Sequence, residues 1–187
     1  MGPRSGVAAR ALLAGGLVVH PTDTLYALAA RAMDRTAVAR LVDLKGRAPG
    51  RPLSVAVSSV AELDRWALLN REARRFVRDQ LPGPFTVLAR PSPRARRTLA
   101  AEVADRPRIG LRVPAHPFAL ELARRVGPLV ATSANRSGEP PARTLREARR
   151  SLGDRVACYA DAAPSPSGRP STLVDLAGRS PREVPRG

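Results

Sequence analysis

The chain's rhythm constrains its fold more than any other feature. Short apolar runs recur as "LVVH" (17–20), "LSVAV" (53–57), "FTVLA" (85–89), "IGLRV" (109–113), "PLVAT" (128–132), "RVACYA" (155–160) and "STLVDL" (171–176). Each is short enough to read as a buried strand rather than a helix. Stretches with helix-start and helix-stop residues lie between them. Residues 5–14 read as helical, and Asp34 caps a helix running to about Leu44 with Val38, Leu41 and Val42 on one face. Asn70 caps "REARRFVRDQL", which Pro82-Gly83-Pro84 terminates. "SVAE" (59–62) and "TLRE" (144–147) have the spacing of capping boxes. Pro117 suits a first helical turn that Gly127 closes. The stretch 90–108 reads as surface loop plus a short helix, and "AAPSPSGRP" (162–170) as the most flexible segment. Strands alternating with helices predict an α/β fold, a sheet covered by helices.

No repeat or linker interrupts the 187 residues, so residues 1–187 are expected to form a single domain. With only 3% aromatic residues, the core must be built from Ala, Val and Leu. "ALLAGGLVV" followed by "ALAA" imitates a secretory leader, but Gly15-Gly16 and "HPTDT" break the pattern. No run approaches the ~20 apolar residues of a membrane span. A lone cysteine, Cys158, allows no intrachain disulfide, so a cytoplasmic location is expected. His20 and His116 lack metal-ligand spacing and read as structural. The net charge of +16 favours a polyanionic partner or an anionic surface; an arginine-rich composition and a solvated face account for it equally well.

Only one of the 32 basic residues is a lysine. It is Lys45 in "KGRAPGR", where alternation lets Lys45 and Arg47 share one side of an extended segment. The cluster suits either a phosphate site or cationic capping of the preceding helix. "TSANRSG" brings Thr132, Ser133 and Asn135 into a tight turn whose side chains and backbone N–H groups could bind phosphate or ribose oxygens. "PTDT" adds Thr22 and Thr24 just past the first strand. Arg112 lies on an apolar strand and needs an anion, from a substrate or from the protein. There is no P-loop, no GxGxxG and no nucleophile–base pair. Hydroxyls, amides and cations without a nucleophile suit a site that positions phosphates and neutralises charge.

Taken in order, "HPTDTLYALAA", "LVDLKGRAPGRPLSV", "LPGPFTVLA", "IGLRVPAHPFALEL", "PLVATSANRSGEPP" and "GRPSTLVDL" resemble the YrdC-like family of threonylcarbamoyl-AMP synthases. The resemblance implies a single-domain, twisted mixed sheet flanked by helices, with a concave basic groove. It implies a nucleotidyltransferase reaction in which L-threonine, bicarbonate and ATP, with Mg2+, give threonylcarbamoyl-AMP and pyrophosphate. The product would pass to a separate transferase complex that modifies the tRNA adenosine next to the anticodon.

Carried over by position, Lys45, Arg47, Ser133 and Asn135 would form the catalytic, ATP-binding set, with Arg186 as a further ATP contact. Thr22, Arg112, Ser171 and Tyr26 would meet threonine. Asp23 stands where the family usually has Glu, Ala27 where it has Gly, and Ala56 where longer members carry a histidine. Lys45→Arg is expected to fold normally and lose ATP-dependent activity, because an ammonium is a compact point charge and a guanidinium a planar fork. Two other readings stay open. One is a non-catalytic RNA-binding or ribosome-associated protein using the basic groove, with tRNA or another RNA as ligand. The other is a different carbamoyl transfer, as in the YrdC-like unit of a hydrogenase-maturation protein. Asp23 and Asp175 are the carboxylates nearest to candidate magnesium ligands, and their spacing does not support the role.

Overall fold

The computed structural model describes residues 3–46 and 53–185. α1 (Pro3–Leu13) leads into β1 (Val18–Pro21) and β2 (Tyr26–Arg31), and α2 (Arg35–Lys45) precedes β3 (Ser54–Ala56). Next come α3 (Leu63–Trp66), β4 (Ala67–Leu68), α4 (Arg71–Gln80) and β5 (Phe85–Pro91). α5 (Pro93–Thr98), α6 (Ala101–Ala104), β6 (Ile109–Arg112), α7 (Pro117–Val126) and β7 (Leu129–Ser133) follow. α8 (Leu145–Leu152), β8 (Cys158–Tyr159), β9 (Thr172–Asp175) and β10 (Arg182–Glu183) complete the order.

One mixed sheet runs β10-β9-β5-β6-β3-β7-β2-β1-β8, with β4 added beside β5. β3 pairs parallel with β6 and antiparallel with β7. Period-two alternation gives the sheet two unlike faces. On one face Leu28, Ala30, Val55, Val87, Leu111 and Val130 join the larger core, into which α2 packs Val38, Leu41 and Leu44. On the other, Val18, Ala56 and Leu129 pack under α1 and α7 through Leu12, Phe118 and Leu122. That second cover is partial. Beyond it the same face presents Ala27, Ser54, Gly110 and Ala131 to an open cavity. Small residues here leave space that leucines would fill. A Cβ at Gly110 would lie 3.2 Å from Ser54 Cβ, so the floor is glycine where two strands crowd it.

Local chemistry explains most helix ends. Asp34 accepts from Ala37 N, Asn70 from Ala73 N and Thr144 from Glu147 N. Gly46 closes α2 in the left-handed region, at φ 58°.

Several expectations need correcting. At "SVAE" Ser59 makes no capping bond; Glu62 reaches back to Ser58 N, and only short helical turns follow. The stretch 90–108 is not a surface loop, because Ala95, Leu99, Ala100, Val103 and Ala104 are buried in the larger core. The leader-like stretch is a helix, a Gly15-Gly16 break and a buried strand, as read, and what the reading lacked is β2, which pairs Ala29 with Val18 and Ala27 with His20. β2 itself was not read from the sequence; its small residues lack the bulk that marks a strand. Segment 162–170 is tied down: Ser167 N donates to Asp23 O, Gly168 N to Thr24 O, and His116 Nε2 to Pro164 O.

Candidate functional site

The cavity on the open half of the sheet has a volume of about 610 Å³. Its walls bring together sequence-distant residues: Thr22 and Tyr26 from the β1–β2 hairpin, Lys45 from the end of α2, Arg112 from β6, Ser133 and Asn135 after β7, and Ser171 before β9. All of these were expected site residues. Arg47 and Arg186, the remaining two, lie outside the described residues.

Lys45 is only 2% exposed. Its Nζ donates to Ser133 O at 2.8 Å, Asn135 O at 2.5 Å and Asn135 Oδ1 at 3.1 Å. These three acceptors match the donors of an ammonium, and Ser133 Oγ stands by as a more distant fourth at 3.4 Å. The side chain thus ties the end of α2 to the turn after β7, and Ser137 N returns a bond to Lys45 O at 2.8 Å. The expectation that Lys45→Arg folds normally therefore needs revision, because this lysine is part of the packed frame. Asn135 Nδ2 donates to Arg136 O and Glu139 O, which closes the turn. Its backbone donors are committed internally: Ala134 N to Tyr26 O, Asn135 N to Ser133 O, and Arg136 N to Glu139 and Ser151 oxygens. Those N–H groups, which "TSANRSG" offered to a phosphate, are thus taken up within the protein, while the side chains of Thr132, Ser133 and Asn135 line the cavity.

At the other end, Arg112 meets the "PTDT" loop. Nη1 donates to Thr24 Oγ1 at 2.7 Å and Nη2 to Asp23 Oδ1 at 2.7 Å. The anion that Arg112 needs is, in part, Asp23. Burial pushes the Arg112 pKa down and Asp23 opposes that push. Arg112 Nε and Asp23 Oδ2 are buried and have no partner among the described residues. Thr22 Oγ1 donates to Leu25 O at 2.7 Å and accepts from Thr24 N and Leu25 N, so it shapes the loop. Thr24 is the hydroxyl that meets the guanidinium.

Ser171 Oγ lies 2.7 Å from Thr86 Oγ1, both buried in the cavity wall. Tyr26 donates to Asp161 Oδ1 at 2.9 Å; burial first, and then that carboxylate, push its phenol up to about 12. Ala27 lies in the extended β2, and no non-glycine residue described has positive φ, so the position needs no glycine. Thr86 and Asp161 were not found from the sequence. Thr86 carried a signal: it is two residues before Leu88, on the cavity side of a strand.

A family model for Sua5, YciO and YrdC, described as telomere recombination, matches residues 10–187. A putative threonylcarbamoyl-AMP synthase of Mycobacterium tuberculosis is 41% identical over 179 residues, 95% of this chain and 81% of that protein. The threonylcarbamoyl-AMP synthase of Alkalilimnicola ehrlichii is 40% identical over 168 residues, 88% of this chain and 86% of that protein. Among solved structures, P. abyssi Sua5 complexed with L-threonine superposes with a TM-score of 0.87 at 28% identity. That match covers 96% of this chain, which spans about half (52%) of the Sua5 chain.

Proposed function

The chain belongs to the Sua5/YciO/YrdC family, and from that premise we propose that it is a threonylcarbamoyl-AMP synthase. In this reaction the threonine amine captures CO2 from bicarbonate as a carbamate. A carbamate oxygen attacks the α-phosphate of ATP, the bond to the β-phosphate oxygen breaks, and pyrophosphate leaves. The product serves tRNA modification through a separate transferase.

One observation carries the assignment of roles: a single cavity is lined by both a buried ammonium and a largely buried guanidinium that is paired with Asp23. Arg112 is the amino-acid end. Nη1 and Nη2 each spend one N–H on Thr24 and Asp23, which leaves Nε–H and the second N–H of each Nη to donate to the threonine carboxylate. Lys45 with Ser133 is the phosphate end. There a fixed positive charge and a side-chain hydroxyl face charge that moves onto the leaving pyrophosphate. Asn135 holds the turn in place. Arg47 and Arg186 are proposed ATP contacts by family position. Tyr26 and Ser171 complete the wall beside threonine. Chemistry is accelerated by placing the carbamate in line with the α-phosphate rather than by a protein nucleophile.

The donor set does not build a protein-held magnesium site. No group of three or more His, Cys, Asp or Glu gathers among the described residues, and Asp23 and Asp175 are paired with Arg112 and Arg108. The Mg2+ expected with ATP would be carried on the nucleotide's phosphates, and no step above runs through it.

No helix among the described residues is long and apolar enough to cross a membrane. The catalytic reading is favoured over a non-catalytic RNA-binding role. The test is pyrophosphate release from Mg-ATP, with and without L-threonine and bicarbonate, with mass analysis of the nucleotide product. Release that needs both, with a threonylcarbamoyl-adenylate mass, supports the reading. Nucleotide binding without turnover under any combination refutes it.

A further inference from the structure

His20 read as structural in the sequence, and the mechanism above does not use it. It occupies β1 on the same side as Val18, is 1% exposed, and lines the cavity together with Thr22, Thr24 and Arg112. Its ring lies 6.2 Å from that of Phe118. Nδ1 is 3.0 Å from Pro21 O. A carbonyl only accepts, so Nδ1 carries the proton and Nε2 presents a bare lone pair. Burial above all, with Arg112 and His116 adding to it, lowers the pKa to about 4, so the ring is neutral at physiological pH. Nε2 is buried and has no partner among the described residues.

A buried acceptor left unpaired is costly, and most such groups in folded proteins are satisfied. None of the polar neighbours donates to it. Thr22 gives its hydroxyl proton to Leu25 O, so the Thr24 hydroxyl, 3.0 Å from Thr22 Oγ1, gives its proton to Thr22. Tyr26 donates to Asp161. His116 Nδ1 accepts from Phe118 N, so its single proton sits on Nε2 and is donated to Pro164 O. Arg112 spends one N–H of each Nη on Thr24 and Asp23, and none of its remaining N–H groups bonds His20 Nε2. A ligand seated beside Arg112 can supply that donor. Of the substrate groups that reach this end, phosphates and carboxylates only accept, while an amino acid brings N–H and O–H.

We infer that His20 is a recognition residue for the amino-acid substrate, with Nε2 accepting a hydrogen bond from an N–H or O–H of the amino acid held beside Arg112. This rests on the proposed amino-acid end of the cavity. It gives that end a matched set: a donor at Arg112 Nε for the carboxylate and an acceptor at His20 Nε2 for the remainder of the molecule.

The test compares wild type, His20→Asn and His20→Gln. Asparagine can keep the bond to Pro21 O but offers nothing at the position of Nε2; the longer glutamine places an amide oxygen there. L-Threonine and ATP affinities are measured by calorimetry, thermal stability by calorimetric melting, and KM and kcat by pyrophosphate release. His20→Asn is expected to weaken threonine binding about tenfold, the worth of one hydrogen bond. ATP affinity and melting temperature should stay near wild type, and His20→Gln should recover most of the loss. L-2-Aminobutyrate, which lacks the hydroxyl, separates the donors. If the hydroxyl is the donor, wild type loses affinity for the analogue and His20→Asn discriminates little. If the amine is the donor, His20→Asn weakens both ligands equally. Unchanged threonine affinity in His20→Asn overturns the inference, as does a His20→Gln as impaired as His20→Asn with stability and ATP affinity falling together. A wild-type protein that binds ATP but no threonine overturns the functional reading, and this inference with it.

Discussion

Lys45→Arg tests how the proposed phosphate end is built. The ammonium sits where three oxygens converge at 2.5–3.1 Å, in a position 2% exposed. A guanidinium is longer, flat and wider. It can direct two N–H bonds along one edge but cannot point three donors from a single atom. Overpacking the end of α2 costs ~1–3 kcal/mol. Losing one charge-assisted bond costs a further ~1.5–3 kcal/mol. The two overlap, because relaxation that relieves the clash also breaks the bond, so the expected loss is about 3 kcal/mol. For a chain of this size that lowers the melting temperature by roughly 6–12 °C. The turn carrying Ser133 and Asn135 shifts with it, and a misplacement near 1 Å at a reacting site costs on the order of 100-fold in turnover.

Calorimetric melting and threonine-dependent pyrophosphate release measure the two effects on the same samples. Lys45→Met serves as the control, since it keeps the length without the charge. It should lose activity and also melt below wild type, because the oxygens of Ser133 and Asn135 are left buried without their donor. An arginine variant that melts within a degree or two of wild type and keeps its activity would refute the reasoning. Such a result would mean that the basic group reaches out into the cavity and that the turn stands without it.

Three further outcomes follow from the geometry. Gly110→Val should abolish turnover and weaken binding of ligands over the floor, measured by calorimetry, because even its Cβ would stand 3.2 Å from Ser54 Cβ and its methyls would enter the cavity. Asp23→Ala should destabilise the protein by about 3 kcal/mol in urea titration, the cost of leaving a buried guanidinium without its carboxylate, and should raise the KM for threonine. The folded-state pKa of His20, about 4, lies below its ordinary value of about 6.5, so the unfolded chain binds the proton first as pH falls. Its stabilising effect is complete above pH ~6.5 and is lost as pH falls towards ~4, so wild type should lose about 2 kcal/mol more than His20→Gln between pH 8 and pH 5 in urea titrations.

The strand rhythm, the caps at Asp34, Asn70 and Thr144, and Pro117 at the start of α7 were legible because each is set by residues within one turn of each other. β2 was not, because "YALAAR" has neither bulk nor alternation, and only its pairing with β1 and β7 makes it a strand. The same smallness that hid it from a sequence reading makes the cavity. Ala27 and Ala131 sit on one face of adjacent strands, across from Ser54 and Gly110, and each would pass for a neutral residue in isolation.

The charged site residues were legible by type but not by task. Lys45 stood out as a lone lysine among arginines, and the structure supplies the physical reason: a point where three acceptors meet needs an ammonium. Arg112 announced the need for an anion, but nothing local could say that Asp23, in the β1–β2 loop and separated from β6 in the sheet by β3 and β7, would meet part of it. His20 was the hardest to read. Its role depends on which of its two nitrogens is used, and that is decided by a carbonyl one residue along its own strand and by the commitments of five side chains drawn from the β1–β2 loop, β2, β6 and the start of α7. A sequence records the residue types in such an arrangement, whereas the unpaired lone pair exists only once the fold has buried it and turned the neighbouring hydroxyls elsewhere.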